Sequence, residues 1–385
     1  MREYTVWTLI LPFLLIVGCK NGPGGSIDTR VESASITGHI VADQTWSGEI
    51  HLTGDVWIDS GVTVTVEPGT TIRVAANSDD QHAGGSGIVD ELTTDDPTTL
   101  DDYGKSHIGI NVYGRLIAIG TPDAVIQLTS DAVSPSQTDW HGLWFREGST
   151  GDLEYVTIEW VHTGPAAHGT DNVSVQHCTV WHTFWGALHA FQCSPIFEYN
   201  ILDDIGHEAI DTHKASPIVR HNHISHARTG VVLNFHAGTP IIFENNTVRD
   251  CGAMMQLQEN AWARILGNTF YGSSETGGPW TYGAFKLSSE SPSSGVGLAD
   301  NVNVDIVQNR FENIPRSPLF YERIGPNMGI GHTTNVPEPF EIGPGPVRIY
   351  VDQNAFVNCG DISTINPATG THWQNFTVTE SNTYE

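Results

Sequence analysis

Polar side chains recur at fixed positions of a short segment that repeats along the second half of the chain. The segment reads LHAF from residue 188, IDTH from 210, LNFH from 233, MQLQ from 255 and FKLS from 285. Because strand side chains alternate between two faces, the second and fourth residues of each segment share one face. The candidate ligand-binding residues at these positions are His189, Asp211, His213, Asn234, His236, Gln256, Gln258 and Lys286.

These residues predict a polar strip on the outside of a sheet. Neighbouring strands lie about 4.8 Å apart and residues on one face of a strand about 7 Å apart. The alignment therefore places Asp211, His213, Asn234 and His236 in one compact patch. Imidazole, carboxylate and amide groups offer hydrogen bonds to the hydroxyl groups of a long polar ligand, so we interpret the strip as a polysaccharide-binding site. The alternative is that it is only the polar face that every repeat scaffold exposes.

A metal site is a second interpretation of the same patch. Imidazole nitrogen suits Zn²⁺ and Cu²⁺, and the alignment brings Asp211, His213 and His236 into adjacent repeats. Repeat proteins also stack like residues without any metal, so both interpretations stay open at this point.

Another column of ionisable residues accompanies the repeat. It consists of His182, Asp204, His226 and Asp250. Charge pairing along a corner explains this column, and a catalytic dyad is the alternative. Histidines are concentrated between residues 162 and 236. Since the ordinary pKa of histidine is about 6.5, they also suggest ligand binding that depends on pH.

The elements that position these residues follow from an asparagine repeat. Asn200, Asn222, Asn246 and Asn268 are separated by 22, 24 and 22 residues. The same phase returns at Asn309 and Asn354, and an apolar residue stands two places after each asparagine. A period of this length is typical of a solenoid. A buried asparagine stacked on another can pair polar groups at a corner, so we predict that these asparagines are structural.

Each repeat has the composition of strands and turns. Segments such as PIFEYNIL, PIVRHNHI and RILGNTF are short, rich in β-branched or aromatic residues, and bounded by turn residues. A period of about 22 residues accommodates three short strands and three turns. The predicted fold class is all-β, a single-stranded right-handed parallel β-helix with loop insertions, over residues 35–385. A repeat array grows in one dimension, so we expect one elongated domain.

Three stretches interrupt the predicted coils at residues 77–107, 272–299 and 312–346. The first is rich in Asp among Gly, Ser and Thr. Clustered carboxylates suit Ca²⁺, although the regular spacing of a calcium loop is absent, so a solvated acidic loop is the alternative. The other two are rich in Gly, Pro and Ser, and long loops beside a rigid scaffold often wall a binding groove.

The N-terminal 19 residues have the features of a targeting segment. Arg2 precedes an apolar run that is too short to span a bilayer as a helix. The run ends in Ile16-Val17-Gly18-Cys19, which resembles the bacterial lipobox and implies lipidation of Cys19. We predict a signal peptide over residues 1–19, a flexible tether over 20–34, and a lipid-anchored protein at the outer membrane or cell surface.

Phrases in the first half carry a family resemblance. GVTVTVEPGT, GRLIAIGT and Trp140-His141-Gly142-Leu143 resemble the bacterial right-handed parallel β-helix repeat proteins, many of which are lipoproteins. The resemblance covers nearly all of the chain after the targeting segment. It implies the fold, but it leaves function open, since that group includes enzymes and binding proteins.

One stretch also resembles a group of enzymes. HEAIDTHKASPIVRHN is similar to the alginate lyase and chondroitinase B group at Glu208, Lys214, Ser216 and Asn222. The Arg-His-Gly that follows in that group is replaced by Phe235-His236-Ala237-Gly238, so its catalytic arginine is missing. If the chain is an enzyme, we expect a polysaccharide lyase or a glycoside hydrolase-like activity. The alternative function is a structural or adhesion protein in which the β-helix is a spacer.

The net charge limits the expected partners. The chain has 17 basic and 44 acidic residues and a formal charge of −27. Such a charge repels nucleic acid and polyuronates over long range. We therefore expect a neutral glycan, no nucleic acid, a membrane contact only through the lipid anchor, and a monomer.

Overall fold

The computed structural model describes residues 29–76, 107–234, 236–257, 261–272, 285–286, 303–314, 319–320, 348–359 and 376–385. Within these ranges the backbone forms only strands, turns and bends, and no described segment is a helix long and apolar enough to cross a bilayer. The predicted signal peptide with Cys19 lies outside the described residues. So do Gln258 and most of the three predicted insertions, including the acidic candidate Ca²⁺ loop.

The described strands form two parallel sheets. The first sheet consists of β1 (Arg30–Glu32), β3 (Gln44–Ser47), β5 (Thr63–Val66), β8 (Arg115–Ile119), β11 (Thr150–Glu154), β13 (Val173–Gln176), β16 (Ile196–Glu198), β18 (Ile218–Arg220), β20 (Ile241–Glu244), β23 (Trp262–Leu266), β26 (Asn303–Val307), β29 (Arg348–Asp352) and β31 (Phe376–Val378). The second consists of β2 (Ser35–Ile40), β4 (Glu49–Ile58), β6 (Thr71–Val74), β7 (Gly109–Val112), β9 (Ile126–Ser130), β10 (Trp140–Phe145), β12 (Val156–His168), β14 (Thr179–Thr183), β15 (Leu188–Phe191), β17 (Ile201–His213), β19 (His223–Asn234), β21 (Thr247–Arg249), β22 (Ala253–Leu257), β24 (Thr269–Tyr271), β25 (Phe285–Lys286), β27 (Arg310–Glu312), β28 (Leu319–Phe320), β30 (Ala355–Val357) and β32 (Thr383–Tyr384).

Long strands bend the second sheet into two walls. The first half of β17 pairs with β14, whereas its second half, from Ile210, pairs with β15. Each coil therefore has three walls. The third wall consists of β15, the second half of β17, and the strand segments that pair with them in the preceding and following coils. The predicted stack of parallel coils is confirmed. Its first strand, β1, pairs with β3, so the coils begin inside the stretch predicted as a tether.

The asparagine repeat forms the predicted ladder. Asn222 Nδ2 donates to Asn246 Oδ1 at 2.9 Å and to the carbonyl of Phe197 at 2.9 Å, and the Asn222 backbone N–H donates to the same Asn246 oxygen. Equivalent bonds run from Asn200 to Asn382. These amides are at most 6% exposed, so the ladder pairs polar groups that each coil buries.

Two corners of most coils use left-handed backbone. At most ladder positions the preceding residue and the fourth residue after it have positive φ, as Tyr199 (59°), Asp204 (54°), His221 (56°) and His226 (48°) show. This conformation is unfavourable for residues other than glycine. The ladder bonds and the packed interior offset that cost, and they fix where each wall begins.

The interior is one continuous apolar core. The residues two places after the ladder asparagines from Asn200 to Asn354 all point into it; Val248, Phe270 and Phe311 are 0% exposed. Rings from successive coils stack there, with Phe270 and Phe311 centroids 5.1 Å apart. This core holds the third wall rigidly, and the outer face of that wall carries the candidate site.

Candidate functional site

Two columns of side chains run along the outer face of the third wall. The Asp211 column, read from the strand pairing, contains Trp57, Asn111, Trp144, Ala166, His189, Asp211, Val232 and Gln256. The His213 column contains His168, Phe191, His213 and Asn234. Between them Ala167, Ala190 and Leu233 point into the core, as the alternation predicts.

The predicted register is wrong by two residues in one coil. The sequence alignment placed Leu233 beside Ile210 and Asn234 beside Asp211, whereas Val231 pairs with Ile210 and Asn234 pairs with His213. The turn between β19 and β20 is longer than the turn between β17 and β18. Ser216 Oγ, in the shorter turn, donates to the carbonyl of Thr239 in the longer one. Val232 therefore occupies the position opposite Asp211.

Three of the four residues predicted for the compact patch make contact. His213 Nε2 lies 3.1 Å from Asp211 Oδ2, and Asn234 Nδ2 lies 3.4 Å from His213 Nδ1. Since the amide nitrogen can only donate, His213 Nδ1 accepts and Nε2 donates to the carboxylate. His189 Nδ1 approaches the same Asp211 oxygen at 3.7 Å. Asp211 is thus held through Oδ2 between two imidazoles.

The other Asp211 oxygen is different. Oδ1 is buried and has no hydrogen-bond partner among the described residues, although Asp211 is only 5% exposed. Native structures leave few buried polar atoms unpaired, and such atoms point to a ligand, a water or a catalytic role. Asp211 Oδ1 is therefore the strongest acceptor available for a bound molecule in this patch.

A second carboxylate lies on the same strand. Glu208 is 6% exposed, and its Oε2 contacts His207 Nδ1. The His207 ring stacks on Trp185 with centroids 4.1 Å apart. In the sequence, Glu208 appeared only through the lyase resemblance, and its aromatic and imidazole partners were not recognised.

The lyase resemblance does not survive at Asn222. This residue belongs to the ladder, is 2% exposed and bonds to Asn246 and Phe197. It is committed to the structural corner and lies on no outer face. Asn222 therefore cannot take the place in the site that the resemblance to that enzyme group implied.

His236 is not in the patch column. It follows β19 in the longer turn, where its Nδ1 accepts from the Gly238 backbone N–H at 2.9 Å and its ring packs edge-on against Trp262 at 5.3 Å. Among the described residues no three His, Cys, Asp or Glu side chains are placed to hold a metal ion. The described structure does not bring Asp211, His213 and His236 together as a ligand group, and a metal bound by them stays a prediction.

The remaining predicted residues have separate environments. Gln256 Nε2 donates to Thr229 Oγ1 at 3.2 Å. Lys286 pairs with Gln256 through its backbone, and Gln258 lies outside the described residues. In the corner column His182 Nδ1 lies 2.6 Å from Asp204 Oδ2, whereas His226 Nδ1 lies 2.7 Å from Oδ1 of Asp203, which is outside the column. These contacts pair imidazole with carboxylate at the corner, and the catalytic dyad stays a prediction.

The comparisons with known proteins bear on the fold. Residues 163–331 match the family model of the right handed beta helix region. The fold is a right-handed parallel β-helix. No curated protein matches the chain. Among solved structures, the catalytic domain of a GH87 alpha-1,3-glucanase in complex with nigerose is similar with a TM-score of 0.36 and 10% sequence identity, over 88% of this chain and 64% of that one. The chain thus spans less than two thirds of that structure.

Proposed function

We propose that the β-helix binds a neutral polysaccharide along the outer face of its third wall, with Asp211 at the centre of the site. The unpaired buried Oδ1 of Asp211 carries this proposal. One side of the carboxylate is fixed by His213 at 3.1 Å, so Oδ1, which has no partner among the described residues, is held in one orientation as a hydrogen-bond acceptor. A preoriented acceptor costs little ordering on binding.

The shape and charge of the wall support a polymer rather than a small ligand. The strands of the wall repeat at about 4.8 Å, so the two columns present their side chains at regular intervals along the axis. Phe191 and His168 add stacked rings 5.2 Å apart beside the polar groups. The net charge of −27 disfavours polyuronates.

A second candidate activity, hydrolysis of the bound glycan, is favoured by the two buried carboxylates. Glu208 and Asp211 both lie on β17, and each contacts a histidine of that strand. Glycoside hydrolysis uses a pair of carboxyl groups, one of which protonates the leaving oxygen while the other activates water or attacks the sugar. In such a reaction water adds across the glycosidic bond and no cofactor is required.

The test is retention on a panel of neutral polysaccharides, followed by assay of new reducing ends. We expect wild-type protein to be retained by at least one polymer, and Asp211→Asn and His213→Ala to lose retention while their thermal melts stay unchanged. His223→Ala, on an exposed position of β19, is the matched control and should behave as wild type. Retention of the wild type by no polymer would instead favour the spacer function.

We also propose that Cys19 is lipidated and holds the β-helix at the cell envelope. The lipobox-like sequence before Cys19 supports this proposal. Labelling of wild-type protein, but not of Cys19→Ser, by a fatty-acid analogue in a bacterial host is the expected result. Equal release of both proteins into the medium would contradict it.

A further inference from the structure

A second group of buried polar side chains lies on the same wall, nearer the N-terminus. The Gly109 cluster consists of Asp55, Asn111, His141 and Trp144, which are 0%, 0%, 1% and 2% exposed. The Gly109 backbone N–H donates to Asp55 Oδ1 at 2.5 Å. A Cβ atom placed on Gly109 would lie 3.4 Å from His141 Nδ1, 3.5 Å from Asn111 Nδ2 and 3.6 Å from Asp55 Oδ1. Polar atoms from three strands therefore face one point.

Several of these atoms are unpaired. Asn111 Oδ1 accepts from Arg146 Nε at 3.1 Å and from Arg146 Nη2 at 2.5 Å. In contrast, Asn111 Nδ2, both ring nitrogens of His141 and Trp144 Nε1 are buried without a hydrogen-bond partner among the described residues. Leaving buried donors and acceptors unpaired destabilises a fold, so this concentration of them needs an explanation that core packing does not give.

The chemistry of the cluster is that of a neutral polar ligand. Burial, followed by the charges of His162, Arg146 and His107, holds the pKa of His141 well below its usual value, so the imidazole offers one donor and one acceptor. The unpaired groups of Asn111 and Trp144 are donors. The Trp144 ring adds an apolar surface beside them, 4.8 Å from the His141 ring. A ring that carries several hydroxyl groups matches this combination.

The cluster is in line with the patch at Asp211. Trp144, Ala166, His189 and Asp211 are consecutive members of one column, so Trp144 and Asp211 are separated by three strand steps of about 4.8 Å, or about 14 Å. The intervening Ala166 is 0% exposed and small. One extended oligosaccharide can therefore reach both groups without a bend.

We propose that the Gly109 cluster is a second sugar-binding site, which takes a distal unit of the same neutral glycan chain that binds at Asp211. This proposal rests on the proposed function. Arg146, which is 8% exposed, bonds to Asn111 and lies 5.6 Å from the Trp144 ring centroid. The hydroxyl groups of the sugar unit pair with the amide, imidazole and indole.

The experiment is calorimetric titration with oligosaccharides of increasing length, prepared from whichever polysaccharide retains the wild type. Wild-type affinity should rise when the chain becomes long enough to span about 14 Å. Trp144→Phe, which removes the indole donor and part of the ring surface, and Asn111→Leu should each weaken binding of long oligosaccharides about fivefold and leave binding of short ones unchanged. Trp181→Phe is the matched control, because Trp181 Nε1 is also buried and unpaired in the described structure but belongs to β14, outside the third wall.

The outcomes separate the two proposals. If no polysaccharide retains the wild type, the proposed function and this inference fail together. If the wild type binds but affinity does not rise with length, or if Trp144→Phe and Trp181→Phe have the same effect, only the second site is refuted. If Trp144→Phe and Asn111→Leu both bind long oligosaccharides as tightly as the wild type does, ordered water alone fills the Gly109 cluster. Asp211→Asn should weaken the binding of oligosaccharides of every length, and this pattern identifies loss of the first site.

Discussion

Acid should destabilise this protein through its buried histidines, His162 among them. His162 is 0% exposed, and burial, followed by the charges of His107 and His189, lowers its pKa to about 3. The unfolded chain has the ordinary value of about 6.5. Between these values the unfolded state binds a proton that the folded state does not, so stability is complete above about pH 6.5 and is lost as the pH falls toward 3. From pH 7.5 to pH 5 the loss from His162 alone is about 2 kcal/mol.

The assay is urea unfolding at several pH values, followed by tryptophan fluorescence, for wild type and His162→Phe. The phenyl ring suits the site, since Phe184 lies 5.3 Å from the imidazole, and it removes the proton-binding group. We expect the variant to lose about 2 kcal/mol less than wild type between pH 7.5 and pH 5. His223→Phe, at an exposed position, should keep the wild-type slope. An identical slope in wild type and His162→Phe would refute the assignment of acid sensitivity to this residue.

Further substitutions separate scaffold from site. Asn246→Ala removes four ladder bonds, two donated by its amide and two accepted by its oxygen, and should lower the free energy of unfolding by about 4 kcal/mol at about 1 kcal/mol per bond, as measured in urea. Gly186→Ala places a Cβ against His189 Nε2 and should displace that ring from Asp211, which reduces glycan retention; retention at the wild-type level would contradict this. His141→Leu removes two unpaired buried nitrogens. It should add about 1 kcal/mol to the free energy of unfolding and therefore raise the thermal midpoint. A lower midpoint would show that the nitrogens are paired in solution.

The asparagine repeat allowed the architecture to be predicted because its cause is local and repeated. Each ladder amide must meet the amide of the next coil, so the spacing in sequence reports the length of a coil directly. The same repeat correctly assigned which residues face inward on the third wall, including Leu188 and Ile210, which are 0% exposed. An insertion between two coils does not disturb the phase of the ladder, since Asn268 still bonds to Asn309 across 41 residues.

The register of the candidate site was predicted less well, for a physical reason. Strand side chains have a period of two, so a shift of two residues leaves every apolar residue inside and every polar residue outside. A shift of one residue would have exposed Leu233 and been recognised at once. Only the lengths of the turns after His213 and Asn234 decide between the two registers, and turn length has no signature in the alternation. The Gly109 cluster was missed because the first half of the chain lacks the asparagine phase that aligns its coils.

Two kinds of buried polar group therefore coexist on one scaffold, and their pairing distinguishes them. Every ladder amide both donates to and accepts from its neighbours, as Asn222 does with Asn200 and Asn246, so these groups stabilise the coil that holds them. On the outer face of the third wall, Asp211 Oδ1 and Asn111 Nδ2 are buried without partners among the described residues, and they cost stability until something binds. Because the polar groups of the ladder are paired with one another, whereas Asp211 Oδ1 and Asn111 Nδ2 are not, we expect a ligand to bind at the third wall.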